Sequence, residues 1–269
     1  VFDPPGLFCL FHTQPGSFSE EFFHSLAFNM VKIVHESDIL VVVHKAPGIG
    51  FHSEGCTPGI VKLLKSGFSM ENIYPVHRLD KVTSGLMVFG RGKKVARELS
   101  EIIQKGAFEK YYLALSSKKP KKKQGMIRGD MIRSRRGSWK LLPTWNNPAV
   151  TQFMSRSIEK NLRLFLLKPL TGRTHQLRVA MKSLGSPVLG DPLYDGSKNS
   201  GSRVEVEGRD RTYLHAFALR FELRGVLHTF QEPPETGCLF LKGSFHEGVS
   251  FFHAPWNLEW PMSSPPRFG

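Results

Sequence analysis

The longest apolar runs of this chain are short: Ile39 to Val43, and Leu162 to Leu167 with Arg163 inside it. Both fall far below the roughly 18 residues that a membrane-spanning helix needs, so a water-soluble protein is expected. Runs of this length, rich in β-branched and aromatic residues and bounded by Gly, Pro, Asn or Asp, read as buried strands joined by short turns. Val31-Lys-Ile-Val-His35 and Ile39-Leu-Val-Val-Val43 flank an acidic turn and predict a hairpin that ends at Lys45-Ala-Pro-Gly48. Leu86 to Phe89, Ala149 to Ser155 and Leu162 to Leu167 are further strands, and Met126 to Leu142 alternates as a second hairpin would. Helical spacing is confined to three places. Thr57-Pro58-Gly59 offers a cap and a first-turn proline before Ile60, Val61, Leu63 and Leu64. Lys93 to Lys105 puts Val95, Ala96, Leu99, Ile102 and Ile103 on one face before Gly106, and Thr174 to Leu184 does the same with Leu177, Ala180, Met181 and Leu184 before Gly185. Strands outnumber helices, so the expected class is α+β with a mixed, largely antiparallel sheet and flanking helices.

Charge narrows the choice of partner. The 269 residues hold 37 Lys+Arg against 23 Asp+Glu, a formal net charge of +14. Such a surplus suits a polyanion, nucleic acid first, and equally suits mere solubility. Its distribution is informative: ten Lys or Arg and one acid lie between Lys118 and Lys140, so most of the surplus sits in one segment. Lys118, Lys119, Lys121, Lys122 and Lys123 read as a solvated loop within it. Cys9, Cys56 and Cys238 are odd in number and widely spaced, which implies neither a disulfide framework nor a zinc site and fits a reducing compartment. The first 31 residues lack Lys and Arg and carry seven Phe without a clear period, so residues 1–30 are expected to form an irregular extension. The chain opens on Val1. The expected location is the cytoplasm, or an organelle if a leader precedes Val1.

Two segments carry candidate chemistry. In His77-Arg78-Leu79-Asp80-Lys81-Val82-Thr83-Ser84-Gly85-Leu86 a carboxylate lies two residues from an arginine, in a hydroxyl-rich turn that leads into a strand. That placement suits a nucleophile or base, and a surface Arg and Asp beside a turn would look the same. In Thr171-Gly172-Arg173-Thr174-His175-Gln176-Leu177-Arg178-Val179 a strand gives way to a helix, with Arg173 and Arg178 near its start. Such a site suits a phosphate or carboxylate, and a capped helix with exposed basic residues is the plainer reading. His175 and His215 have no acidic or Cys partner at ligand spacing, so no metal site is expected. Asp191 and Asp195 read as turn residues around Gly190 and Pro192. Trp139 and Trp145 flank the basic segment, as base-stacking groups or as core aromatics.

Together these segments resemble the RluA-type pseudouridine synthases. His77 to Leu86 is similar to that family's H-R-L-D-x-x-T-S-G-L signature at every specified position. Lys45-Ala-Pro-Gly48 resembles its K-P-x-G turn with Ala46 intervening. Lys110-Tyr-Tyr112-Leu-Ala resembles its K-x-Y-x-A motif, and Gly172 to Val179 followed by Gly185 to Tyr194 resembles its third block. The resemblance implies the pseudouridine synthase fold, a bent mixed sheet around a central cleft, with residues 31–235 as the catalytic domain, a basic insertion at 118–140 and a C-terminal extension at 236–269 packed on it. It implies isomerisation of uridine to pseudouridine in RNA, ribosomal or transfer, without cofactor or metal, by a monomer. Asp80 is then the catalytic aspartate, Arg178 its cationic partner and Tyr112 the active-site tyrosine. Leu177 belongs to the apolar wall, Arg78 contacts RNA, and His77 and Thr83 shape the loop. Arg173 and the five lysines of 118–123 would hold RNA phosphates. The second reading is a non-catalytic RNA-binding or ribosome-assembly protein on the same fold.

Overall fold

The computed structural model describes residues 20–55, 57–196 and 210–261, with side chains from Ser25 onward. The chain divides into two compact units, residues 1–101 and 102–269, and each has its own strands.

In the first unit, β1 (Val31–Glu36) and β2 (Leu40–Lys45) form the expected hairpin. Ser37 closes its turn by donating through N–H to the Leu40 carbonyl at 3.0 Å. Strand β4 (Ser84–Arg91) pairs antiparallel with β2 and with the short β3 (Ile73–Pro75). Leu40 to Val43 and Leu86 to Phe89 are buried throughout. Strands covered on both faces lose the polar alternation of a half-exposed sheet, which is why these stretches read as unbroken apolar runs. Helix α3 (Lys93–Gln104) turns Val95 and Leu99 inward and ends before Gly106, whose φ is +72°. Its first turn lies so close to β4 that a Cβ on Gly90 would stand 2.6 Å from the Ala96 nitrogen. Only glycine permits that approach.

Two expectations are corrected in this unit. The segment before Val31 is not irregular throughout: Glu20–Met30 is helix α1, with Ala27 buried and the Phe28 ring 5.1 Å from that of Phe68. Its packing partner, α2 (Ile60–Gly67), lies some thirty residues further on and is invisible to a local search for periodicity. Residues 1–19 lie outside the described residues, as does Cys56. Thr57 does not cap α2 either. It pairs with Glu54 in a two-bond bridge, and Gly59 takes the N-cap position with its N–H donating to Ser53 Oγ at 3.1 Å.

The sheet strands of the second unit are β5 (Glu109–Ser116), β6 (Gln124–Gly129), β9 (Ala149–Glu159), β10 (Leu162–Pro169), β11 (Leu214–Leu223) and β12 (Val226–Gln231). They pair antiparallel in the order β11-β5-β10-β9-β6, with β12 beside β11. The single hairpin expected over Met126–Leu142 is two structures. Gln124–Gly129 is the edge strand on β9, while β7 (Met131–Arg133) and β8 (Trp139–Leu141) pair with each other alone. Alternation within β6 satisfied both pairings, and the longer partner, β9, prevailed. Helix α4 (Gln176–Ser183) starts two residues later than its pattern suggested, because His175 sits in the left-handed region at φ 58°.

One face of this sheet carries the core. Tyr111, Leu113 and Leu115 of β5 and Leu164 and Leu166 of β10 meet Phe240, Phe245 and Phe252, the last three from around helix α5 (Gly243–Ser250). Each such side chain contributes about 1.5–3 kcal/mol by leaving water. The residues from Leu239 to Trp260 are thus an integral part of the second unit's core, and the fold class is α+β.

Candidate active site

The His77–Ser84 loop of the first unit is pinned at several points. The Val88 N–H donates to His77 Nε2 at 3.0 Å, which leaves the neutral imidazole proton on Nδ1. Thr83 N–H donates to the Asp80 carbonyl at 3.0 Å, closing a turn, and Gly85, the second residue of β4, takes φ +110° opposite Lys45. The carbonyl of Lys81 is held by the Gly48 N–H at 2.8 Å. Lys45, 1% exposed, points its ammonium at the carbonyls of Ala46 and Ile49, at 2.9 and 3.0 Å, and at that of Lys81 at 3.5 Å. A buried ammonium is tolerable only with such partners. Here it fastens the Lys45-Ala-Pro-Gly48 turn to the residue after Asp80.

On that framework Asp80 is half-buried, Thr83 and Ser84 are buried, and Arg78 is exposed with its guanidinium 5.8 Å from the centre of the Phe51 ring. Lys81 reaches out to Glu54 at 2.6 Å. The loop is thus fixed from both sides around a carboxylate, with an exposed arginine beside it that can attract an anion.

In the second unit Tyr111 and Tyr112 diverge as strand alternation requires. Tyr111 faces the core, with its ring 5.7 Å from Trp260 and 6.4 Å from Trp256, and burial followed by the nearby Glu109 pushes its phenol pKa up. Tyr112 is 8% exposed and turns to the opposite face, at the register of Leu167 and Ala216.

The loop before α4 is organised by Gln176. Its Oε1 accepts from the Thr171 hydroxyl at 2.7 Å and the Arg173 N–H at 2.9 Å, while its Nε2 donates to the Val150 carbonyl and to Thr151 Oγ1, both at 3.0 Å. One buried amide, with all four bonds made, ties the loop to β9. Arg178 is 3% exposed and binds Asp191 through two contacts, Nε to Oδ2 at 2.7 Å and a terminal nitrogen to Oδ1 at 2.8 Å. Asp191 Oδ1 also accepts the N–H groups of Leu193 and Tyr194. It is both the turn residue expected and a partner of Arg178 that sequence reasoning missed. Leu177 is buried beside Arg178. Arg173 is exposed and donates to Asn147 Oδ1. His175 Nδ1 lies 3.0 Å from the Tyr194 hydroxyl, which accepts the backbone N–H of Trp139 at 2.9 Å. Lys118, Lys119, Lys121, Lys122 and Lys123 are all exposed in the connection between β5 and β6.

Lys45, Gln176 and Tyr194 lay within the motifs, yet only their spatial partners show what they do. The signal available was that each is a polar residue in an otherwise apolar neighbourhood, which demands bonding partners when buried.

A family model described as RNA pseudouridylate synthase matches residues 39–183, more than half of the chain. The chain belongs to this family. A protein of Haemophilus influenzae named as an uncharacterised RNA pseudouridine synthase is 44% identical over 222 residues, covering 82% of this chain and 96% of that one. The ribosomal large subunit pseudouridine synthase C of the same organism is 30% identical over 196 residues, and the aligned region covers 61% of its length. Among solved structures, human RNA pseudouridylate synthase domain containing 1 is 26% identical with a TM-score of 0.63, covering 82% of this chain and 86% of that one. The fold is accordingly that of the pseudouridine synthases, and the family places the chain among isomerases that act on RNA.

Proposed function

We propose that this pseudouridine synthase family member converts specific uridines of structured ribosomal or transfer RNA to pseudouridine, with Asp80 as the catalytic aspartate. The reaction breaks the bond between the ribose anomeric carbon and N1 of uracil. After the base turns, a bond forms from the same carbon to C5. The proton lost from C5 is matched by one gained at N1, so atoms and charge balance without a co-substrate.

The observation that supports this reading best is the anchored loop around Asp80. A group acting at the anomeric carbon must hold its position within a fraction of an ångström as the base leaves. The bonds from Lys45, Gly48 and Val88 to this loop supply that rigidity. Tyr112 and Arg178 take their roles by family resemblance: a ring against the displaced base with a hydroxyl for proton transfer at C5, and a cation that favours an ionised carboxylate. The target uridine must leave its stack to be reached, and exposed Arg78 is suited to the RNA backbone around it. The protein would act as a monomer, and the five lysines between β5 and β6 would track phosphates.

The test is to incubate wild-type and Asp80→Asn protein with transcribed ribosomal and transfer RNA and to map pseudouridine by chemical modification and primer extension. Product with wild type alone is expected. RNA binding without product from the wild-type chain on every RNA would instead favour a non-catalytic role.

A further inference from the structure

A cavity of about 410 Å³ lies in the second unit, lined by Asp130, Met131, Trp139, Asn146, Asn147, Gly172, Arg173 and Thr174. Its volume falls in the range of about 300–1,000 Å³ typical of small-ligand sites, larger than a phosphate alone would occupy. Its walls come from the short β7–β8 hairpin, the turn before β9 and the loop that Gln176 anchors to β9.

The chemistry of the lining is that of a single-stranded RNA site. Trp139 offers an aromatic face, Arg173 a guanidinium that donates through one nitrogen to Asn147 Oδ1 and has further N–H donors, and Asn146 and Thr174 amide and hydroxyl groups of the kind that read base edges. The surroundings are basic. The Arg133 guanidinium lies 5.6 Å from the Trp139 ring centre, Arg128 lies 4.7 Å from that of exposed Trp145, and Arg135 and Arg136 occupy the tip of the hairpin. Asp130 is the acid of the lining. Its Oδ2 accepts from the Thr144 hydroxyl at 2.6 Å and the Asn146 N–H at 3.0 Å, and its Oδ1 accepts from the Asn147 N–H at 2.8 Å. A carboxylate has room for about four hydrogen bonds, so Oδ1 retains an acceptor position. A fixed negative charge repels phosphate and attracts an amino group, so a nucleotide would set its phosphate toward Arg173 and its base toward Asp130.

We infer that this cavity holds one unpaired nucleotide of the substrate RNA, other than the uridine being modified, and that it favours a base with an exocyclic amino group over uracil. The inference rests on the functional reading in taking RNA as the ligand. It adds a second, base-selective contact in the second unit, built around Asp130 and Trp139, which lie outside the His77–Leu86 and Thr171–Val179 motifs.

The probes are single-stranded hexamers of cytidine and of uridine, titrated at low salt into isotope-labelled protein, with the indole N–H signals of the four tryptophans followed by NMR and assigned by Trp→Phe replacement. The cytidine hexamer is expected to shift the Trp139 indole while leaving Trp256 and Trp260 in place, and to bind at least about fivefold more tightly than the uridine hexamer. Asp130→Asn, whose amide can donate to uracil, should bring the two affinities together. Arg173→Ala should weaken both. An unmoved Trp139 signal, equal affinity for the two hexamers, or no binding of either overturns the inference. Pseudouridine formation on transcribed ribosomal and transfer RNA, measured with the same wild-type preparation, separates the two levels: product with an unresponsive Trp139 rejects the cavity alone, whereas a responsive Trp139 without product on any of these RNAs rejects the catalytic reading.

Discussion

Replacing Asp191 by Asn tests how the second unit holds Arg178. The pair is withdrawn from solvent, with side-chain exposures of 4% and 0%, and Asp191 receives four donors: two from Arg178 and the N–H groups of Leu193 and Tyr194. Asparagine keeps one acceptor oxygen. With that oxygen at the Oδ1 position, its NH2 faces Arg178 Nε across the 2.7 Å contact, donor against donor. In the other orientation it faces a guanidinium nitrogen and two backbone N–H groups. Either way Arg178 keeps its charge in a buried site and loses the carboxylate that holds it within the second unit. Breaking a buried pair in this manner costs about 3–5 kcal/mol. At about 2–4 °C per kcal/mol for a unit of this size, the melting temperature should fall by about 6–20 °C. Thermal unfolding followed by circular dichroism measures it. Asp195→Asn is the control, since Asp195 accepts a single N–H, that of Gly190, at 3.3 Å, and should cost only about 1 kcal/mol. The double variant Arg178→Met, Asp191→Leu removes both charges and should recover part of the lost stability, since the N–H groups of Leu193 and Tyr194 still lose their acceptor. An Asp191→Asn protein that melts within about 2 °C of wild type would refute the argument, because so small a change corresponds to no more than about 1 kcal/mol.

Two further outcomes can be checked. Replacing Lys118, Lys119, Lys121, Lys122 and Lys123 with Gln should lower the slope of log affinity for RNA against log salt by up to about 3.5 for single-stranded and about 4.5 for duplex contacts, measured by filter binding across a salt series; an unchanged slope would remove these lysines from the RNA path. Thr144→Val should raise the pKa of Asp130, since the hydrogen bond from the Thr144 hydroxyl, and then those from the backbone of Asn146 and Asn147, holds the carboxyl below the usual range. A folded pKa below the unfolded one means that this carboxylate steadies its turn above about pH 4 and loses that effect as pH falls through the folded value. Carboxyl NMR titration of both proteins reads the shift, and identical curves would show that Thr144 has no part in it.

Much of the architecture was legible because local patterns carried it. The β1–β2 hairpin, α3 with its terminal Gly106, and the opposite facing of Tyr111 and Tyr112 all follow from the spacing of apolar side chains along one stretch of backbone. The His77–Leu86 motif likewise marked the loop that the structure holds rigid. Local patterns failed where two pairings satisfied the same alternation. Gln124–Gly129 joined β9 instead of continuing the hairpin, and Glu20–Met30 formed a helix whose partner is α2.

Residue order alone thus determined the strand-rich α+β class, the basic segment and the motif that marks the family, since periodicity, charge and short motifs are properties of neighbouring residues. The tertiary structure alone decided that Lys45 is a buried clamp on the Asp80 loop, that one glutamine anchors the loop before α4, that Arg178 leans on Asp191, and that Asp130, Trp139 and Arg173 line a common cavity. A buried polar group must find partners, and the partners that satisfy it are chosen by proximity in the folded chain, often across tens of residues of sequence.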